Sequence, residues 1–170
     1  MGGLRLFALV VLLAGVGPAP PAVPVPAAVP AATGFVLPIP GPPLVLTAFA
    51  PPPTRYGAGH RGVDLGAATG VVVAAAGAGR VVFAGELAGR GVISVEHEGG
   101  LRTTYEPVTA SVAAGSPVAA GQPIGTLQAG HPGCAPASCL HWGARLPDGT
   151  YLDPLALLRP WAVRLWPWDG

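Results

Sequence analysis

Between Tyr56 and Leu158 the apolar positions keep no helical period. They come in short Val-rich runs broken by glycine: "GVVVAAAGAGRVVFAG", "GVISVEHEGGLRTTYEPV", "SVAAGSPVAAGQPIGTLQAG" and "LHWGARLPDGTYLDPL". Runs of this kind predict short antiparallel strands joined by tight turns. In "RTTYEPV" the β-branched and aromatic residues favour a strand, and Gly99-Gly100 just ahead of it would turn a hairpin. Pro147-Asp148-Gly149 is a second turn signal. Only "DPLALLRPW" (153–161) carries a helix signal, one turn with Asp153 as cap and Pro154 at the first helical position. The expected fold is all-β, a small domain of antiparallel β-sheet or β-sandwich type.

Ahead of this region the pattern changes twice. The first residues, "MGGLRLFALVVLLAGVGPAPPA", run from one cation (Arg5) through an apolar stretch to small residues and prolines. That apolar stretch, Leu6 to Val16, is shorter than the ~20 residues a spanning helix needs. Its order is that of a secretory signal, with a retained membrane anchor as the alternative. Prolines then crowd residues 18–53, which reads as an extended spacer. The later "FVLPIPGPPLVLTAF" holds enough large apolar groups to lie as an edge strand on the domain. The expected organisation is a signal peptide (1–22), a Pro-rich linker (23–41), a globular domain (42–160) and a Trp-rich tail (161–170). In that tail Trp161, Trp166 and Trp168 are expected to pack across the open end of the domain rather than stack on glycan.

At 170 residues the chain suffices for one domain with a real core. Removing the signal with Arg5 leaves eight basic against eight acidic residues. Such a balance offers no electrostatic grip on nucleic acid or anionic lipid, so neither is an expected partner, and a monomer is expected. The chain has no Lys and no Asn, a bias that reflects codon supply in a GC-rich genome more than function. Two cysteines in an exported chain point to one disulfide, with two independent thiols as the alternative. Cys134 and Cys139 would close a small loop around "APAS".

Candidate chemistry gathers in two stretches, "GHRGVDLG" (59–66) and "SCLHWGARL" (138–146). On an extended chain His60, Gly62 and Asp64 share one face while Val63 and Leu65 point into the core. The same alternation sets Cys139 and His141 against a buried Leu140 and Trp142. Two imidazoles and a carboxylate form a ligand set for catalytic Zn²⁺, with the fourth position left to water. A His60–Asp64 salt bridge beside a half-buried His141 is the alternative that these residue types leave open.

The motifs "GHRGVDL", "GRVVFAG", "GVISVEHEGGLRTTYEPV", "VAAGSPVAAGQPIGTL" and "CLHWGARL", in this order and spacing, resemble the lysostaphin-type, LytM-like zinc endopeptidases of bacterial cell walls. The resemblance spans about residues 42–158 and implies the lysostaphin-like (duplicated hybrid motif) fold. It also implies Zn²⁺ on His60, Asp64 and His141, and peptidoglycan as partner and substrate. Two further family histidines, which do not bind metal and assist the chemistry, are replaced here by Cys139 and Pro107. General acid–base help of that kind is typically worth 10²–10⁴-fold. Glu106, Cys139 and His131 are the candidate substitutes. Glu106 is expected to face away from the site, and a disulfide would silence Cys139. His131, on the loop such a disulfide would hold, is the expected catalytic residue. His97 matches a hairpin-end position and is expected to be structural.

The resulting expectation is an exported, cell-wall-associated zinc metalloendopeptidase that hydrolyses peptide cross-links of peptidoglycan. The alternative is a degenerate wall-binding or hydrolase-activating domain. A purely structural zinc is weaker, because such a site usually has four protein ligands.

Overall fold

The computed structural model describes residues 34–54, 56–134 and 138–158. The expected signal peptide, the linker up to residue 33 and the Trp-rich tail lie outside the described residues. Among the described residues, eleven strands make up almost all the regular structure: β1 (Val45–Thr47), β2 (Gly62–Gly66), β3 (Val72–Ala74), β4 (Gly79–Leu87), β5 (Arg90–Glu96), β6 (Arg102–Glu106), β7 (Val108–Ala110), β8 (Pro117–Val118), β9 (Pro123–Leu127), β10 (Cys139–Arg145) and β11 (Tyr151–Leu152). They form an antiparallel sheet in the order β1-β2-β10-β6-β5-β4-β8, with β11 on β10, and a smaller sheet β3-β9-β7. The all-β expectation holds. The one helix signal forms a 3-10 turn, Pro154–Leu158, in which Asp153 Oδ1 accepts from Leu155 N–H at 3.0 Å.

Strand alternation decides what is buried. In β6, Thr103 and Tyr105 turn inward while Arg102, Thr104 and Glu106 turn outward. In β10 the inward residues are Leu140, Trp142 and Ala144, and Trp142 is buried opposite Tyr105, its register partner. These meet Val63, Leu65, Ile93 and Val95 from the same sheet and Val73, Ile124 and Leu127 from the smaller one. Full burial of side chains of this size contributes ~1.5–3 kcal/mol each. The core therefore lies between the two sheets, and the outward face of β6 and β10 is left for chemistry.

Residues 34–41 also touch this core. Ile39 is buried, Phe35 and Leu37 pack against the cluster, and Val36 N–H donates to the Ala76 carbonyl at 2.7 Å. The β5–β6 connection runs through Gly99 and Gly100 at φ of 74° and 78°, a left-handed backbone that a Cβ would penalise.

His97 closes this hairpin from inside. Ala76 N–H donates to the Tyr105 hydroxyl (2.8 Å), Tyr105 to Thr103 Oγ1 (2.8 Å) and Thr103 to His97 Nε2 (2.7 Å). The His97 Nδ1–H ends the chain on the Ala78 carbonyl at 2.9 Å. Burial lowers the pKa of His97 and keeps it neutral, as its role as acceptor at Nε2 requires. The same burial raises the Tyr105 phenol to about 12.

Candidate metal centre

The pairing of β2 with β10 sets Asp64 directly opposite His141, residues 77 apart in sequence. His60 precedes β2 and is fixed by a two-way backbone bridge to Ala50. Three ligand-type atoms meet: His60 Nε2 lies 3.0 Å from Asp64 Oδ1 and 3.0 Å from His141 Nδ1, which lies 2.9 Å from Asp64 Oδ1. The three residues predicted as ligands are thus together, although the sequence could not supply the strand pairing that joins them.

The protonation of this triangle tests whether a metal fits. A carbonyl can only accept, so the 2.8 Å contact with the Ala48 carbonyl commits the His60 proton to Nδ1. A neutral His60 then turns a bare lone pair toward the Asp64 carboxylate. Two acceptors 3.0 Å apart repel unless a proton or a cation lies between them. Donor atoms bound at ~2.0–2.1 Å around a tetrahedral Zn²⁺ stand roughly 3.3 Å apart, close to the edges seen here. The bond to the Ala48 carbonyl is also the outer contact that orients ligating histidines. The donor set fits Zn²⁺.

Asp64 is almost fully buried (1% exposed), and burial alone would raise its pKa. In the metal-free state, where a proton rather than a cation lies within the triangle, the hydrogen bond with His141, electrostatic attraction to His60, and smaller contributions from Thr47 and His131 outweigh that, holding the carboxyl at about 2. It stays ionised throughout the physiological range. Gly62 makes room for the cluster: a Cβ there would stand 2.8 Å from His141 Nε2 and 2.4 Å from the Trp142 carbonyl oxygen.

Cys134 and Cys139 are joined in a disulfide with Cα atoms 6.0 Å apart. The bridge ties the 3-10 turn Pro132–Cys134 to the start of β10 and so brings His131 to the cluster. Its Nε2 lies 3.8 Å from Asp64 Oδ1, and its ring stacks on that of His141 at 5.7 Å. Gly133 N–H donates to His131 Nδ1 at 3.2 Å. A neutral His131 therefore carries its proton on Nε2, the atom facing the cluster. Burial lowers its pKa, while the Asp64 carboxylate opposes that more weakly.

Glu106 departs from expectation. It registers with His141 across β6–β10 and so shares the outward face. Tyr105 takes the inward position, which leaves Glu106 outward. The carboxylate accepts two hydrogen bonds from Arg90, from Nε at 2.9 Å and Nη2 at 3.2 Å. This ion pair gave no sequence signal, because its partners lie 16 residues apart on separate strands. Cys139 is spent in the disulfide, and Pro107 has no ionisable group. Beside the cluster runs a groove of about 500 Å³ whose lining includes His141, Glu106, Thr104, Arg145 and Phe83.

A two-sheet antiparallel domain with a His-Asp-His cluster at one end of an open groove defines the class: a lysostaphin-like hydrolase fold. Residues 58–154 match Peptidase family M23, and the chain belongs to that family as a LytM-like member. It is 52% identical over 133 residues to the uncharacterized protein Rv2891 of Mycobacterium tuberculosis, a match covering 76% of this chain and 53% of that one. The chain thus spans about half the length of the curated relatives it matches. Among solved structures, it resembles the catalytic domain of the antimicrobial peptidase lysostaphin from Staphylococcus simulans. That similarity is 26% identity at a TM-score of 0.57, over 66% of this chain and 90% of that one. Helicobacter pylori Csd3 is 27% identical at a TM-score of 0.59, over 75% of this chain and 36% of that one.

Proposed function

We propose that this protein is an exported zinc metalloendopeptidase that cuts peptide cross-links in peptidoglycan, with Zn²⁺ held by His60, Asp64 and His141. The observation that carries this reading is the convergence of three lone-pair donors in a triangle of 2.9–3.0 Å edges. When bound, Zn²⁺ supplies Lewis acidity, lowering the pKa of a bound water toward ~7 and polarising the scissile carbonyl.

The chain's own residues supply the rest. Ala48 fixes the His60 tautomer, and the ionised Asp64 adds the negative charge that favours a dication. His131 takes the place of the two absent family histidines. Because Gly133 occupies Nδ1, His131 offers a proton at Nε2, where it can donate to an oxygen on which charge develops. The groove, open along the outward face of β6 and β10, receives an extended peptide. No helix among the described residues is long and apolar enough to cross a membrane.

The test is metal analysis of the purified protein beside a muropeptide digestion. About one zinc per chain with release of cleaved cross-links is expected, and His141→Ala should lose both. Unchanged zinc in that variant would reject the ligand assignment. One observation favours a second reading, a degenerate wall-binding or hydrolase-activating domain: Pro107 and the disulfide-bonded Cys139 stand at the two outer histidine positions. Stoichiometric zinc without cleavage of any peptidoglycan would establish that reading instead.

A further inference from the structure

The groove carries a charge arrangement that folding does not call for. Arg102 on β6 and Arg145 on β10 are register partners, so two arginines occupy directly opposed positions on one face. Like charges in that position destabilise a sheet. Arg102 is partly neutralised by Glu96, whose Oε2 accepts from its Nη2 at 2.7 Å. Arg145 is exposed and has no acidic partner among the described residues. Arg61 adds a third cation to the lining, held against the Tyr151 ring at 5.5 Å. The one acid of the lining, Glu106, is already paired with Arg90. The wall is therefore cationic, while Phe83 and Leu87 offer partly exposed apolar surface in the same groove.

Position along the strand sets the distance. His141, Gly143 and Arg145 alternate on the outward face of β10, and four residues at ~3.3 Å each set Arg145 roughly 13 Å from His141. An extended peptide with its backbone at His141 would present a side chain or terminus to Arg145 a few residues away.

We infer that Arg145, with Arg102, forms a carboxylate-binding subsite, and that the groove selects peptides bearing a free carboxylate a few residues from the position at His141. This rests on the reading of the groove as the substrate groove. A planar guanidinium pair matches a carboxylate through bidentate hydrogen bonds. A bound carboxylate would also give Arg145 the acidic partner that it lacks among the described residues.

The experiment uses two fluorescein-labelled synthetic peptides, identical except that a Glu in one is Gln in the other. Binding is read by anisotropy with chelator present, so that neither zinc nor cleavage enters the signal. The Glu peptide should bind roughly tenfold more tightly at low salt, and the preference should shrink as salt rises. Arg145→Gln should abolish the preference by weakening the Glu peptide to the affinity of the Gln peptide, and Arg145→Lys should keep part of it. Because the variant removes a like-charge pair, its Tm should equal or exceed that of the parent. Equal affinity for the two peptides, no binding of either, or a Tm several degrees lower in Arg145→Gln would overturn the inference. Discrimination here, with no peptidoglycan cleaved by the zinc-loaded protein in a separate digestion, would leave it standing while rejecting the endopeptidase reading. Equal affinity for the two peptides, with peptidoglycan cleaved by the zinc-loaded protein in that digestion, would do the reverse.

Discussion

Gly62 is the position where a single methyl group should separate the site from the fold. A Cβ there would lie 2.4 Å from the Trp142 carbonyl oxygen and 2.8 and 2.9 Å from His141 Nε2 and Cε1. Relief to the 3.4 Å of ordinary contact requires a displacement on the order of 1 Å. The His141 ring cannot absorb it alone, because His60 and Asp64 close its other edge at 2.9–3.0 Å. The β2–β10 pairing must therefore open. Overpacking of this kind costs ~1–3 kcal/mol, and in a domain of this size that lowers Tm by roughly 4–12 °C. Displaced ligands should weaken zinc binding by roughly 10–100-fold. The control is Gly85→Ala on β4, where the nearest atom to a new Cβ, Phe83 Cζ, is 3.6 Å away and φ is not positive. That change should stay within about 0.5 kcal/mol. Thermal unfolding of the chelated proteins and zinc titration against a chromophoric chelator read the two effects separately. If Gly62→Ala matched Gly85→Ala in both assays, the close approach of β2 to His141 would not be what shapes the centre.

Three further outcomes are expected. His131→Ala should lower cleavage at least ~100-fold with zinc content intact, in line with the worth of a positioned acid or base; kcat/KM beside metal analysis checks this, and wild-type cleavage would exclude the role. Mass spectrometry of the non-reduced protein should find Cys134 and Cys139 blocked to alkylation, and replacing both by Ser should cost about 2 kcal/mol for so short a loop; two freely alkylated thiols would contradict the bridge. In the metal-free protein Asp64 titrates lower when folded, at about 2 against 3.8, so its contribution is complete above pH 3.8 and disappears as the pH falls through about 2. Urea unfolding across that window should show a loss in the parent that Asp64→Asn lacks, and parallel profiles would refute the linkage.

Much of this protein was legible in the chain because strand alternation is a local property. "GVDLG" and "CLHWGAR" declare which residues turn inward once the period is two, and Gly99-Gly100 marks its turn by the conformation only glycine adopts freely. Residue chemistry named candidate ligand types, and the order of motifs named the family. Pairing between distant strands is not local, and there the tertiary structure decided. It set His141 opposite Asp64, turned Glu106 outward beside Arg90, and opposed Arg102 to Arg145. Each of these depends on which strands become neighbours and in what register. Register is set by the joint burial of side chains such as Tyr105 and Trp142, which no single stretch encodes. The position of His131 is likewise tertiary: a disulfide restricts a loop, but the wall it rests on, Asp64 and His141, comes from two other strands.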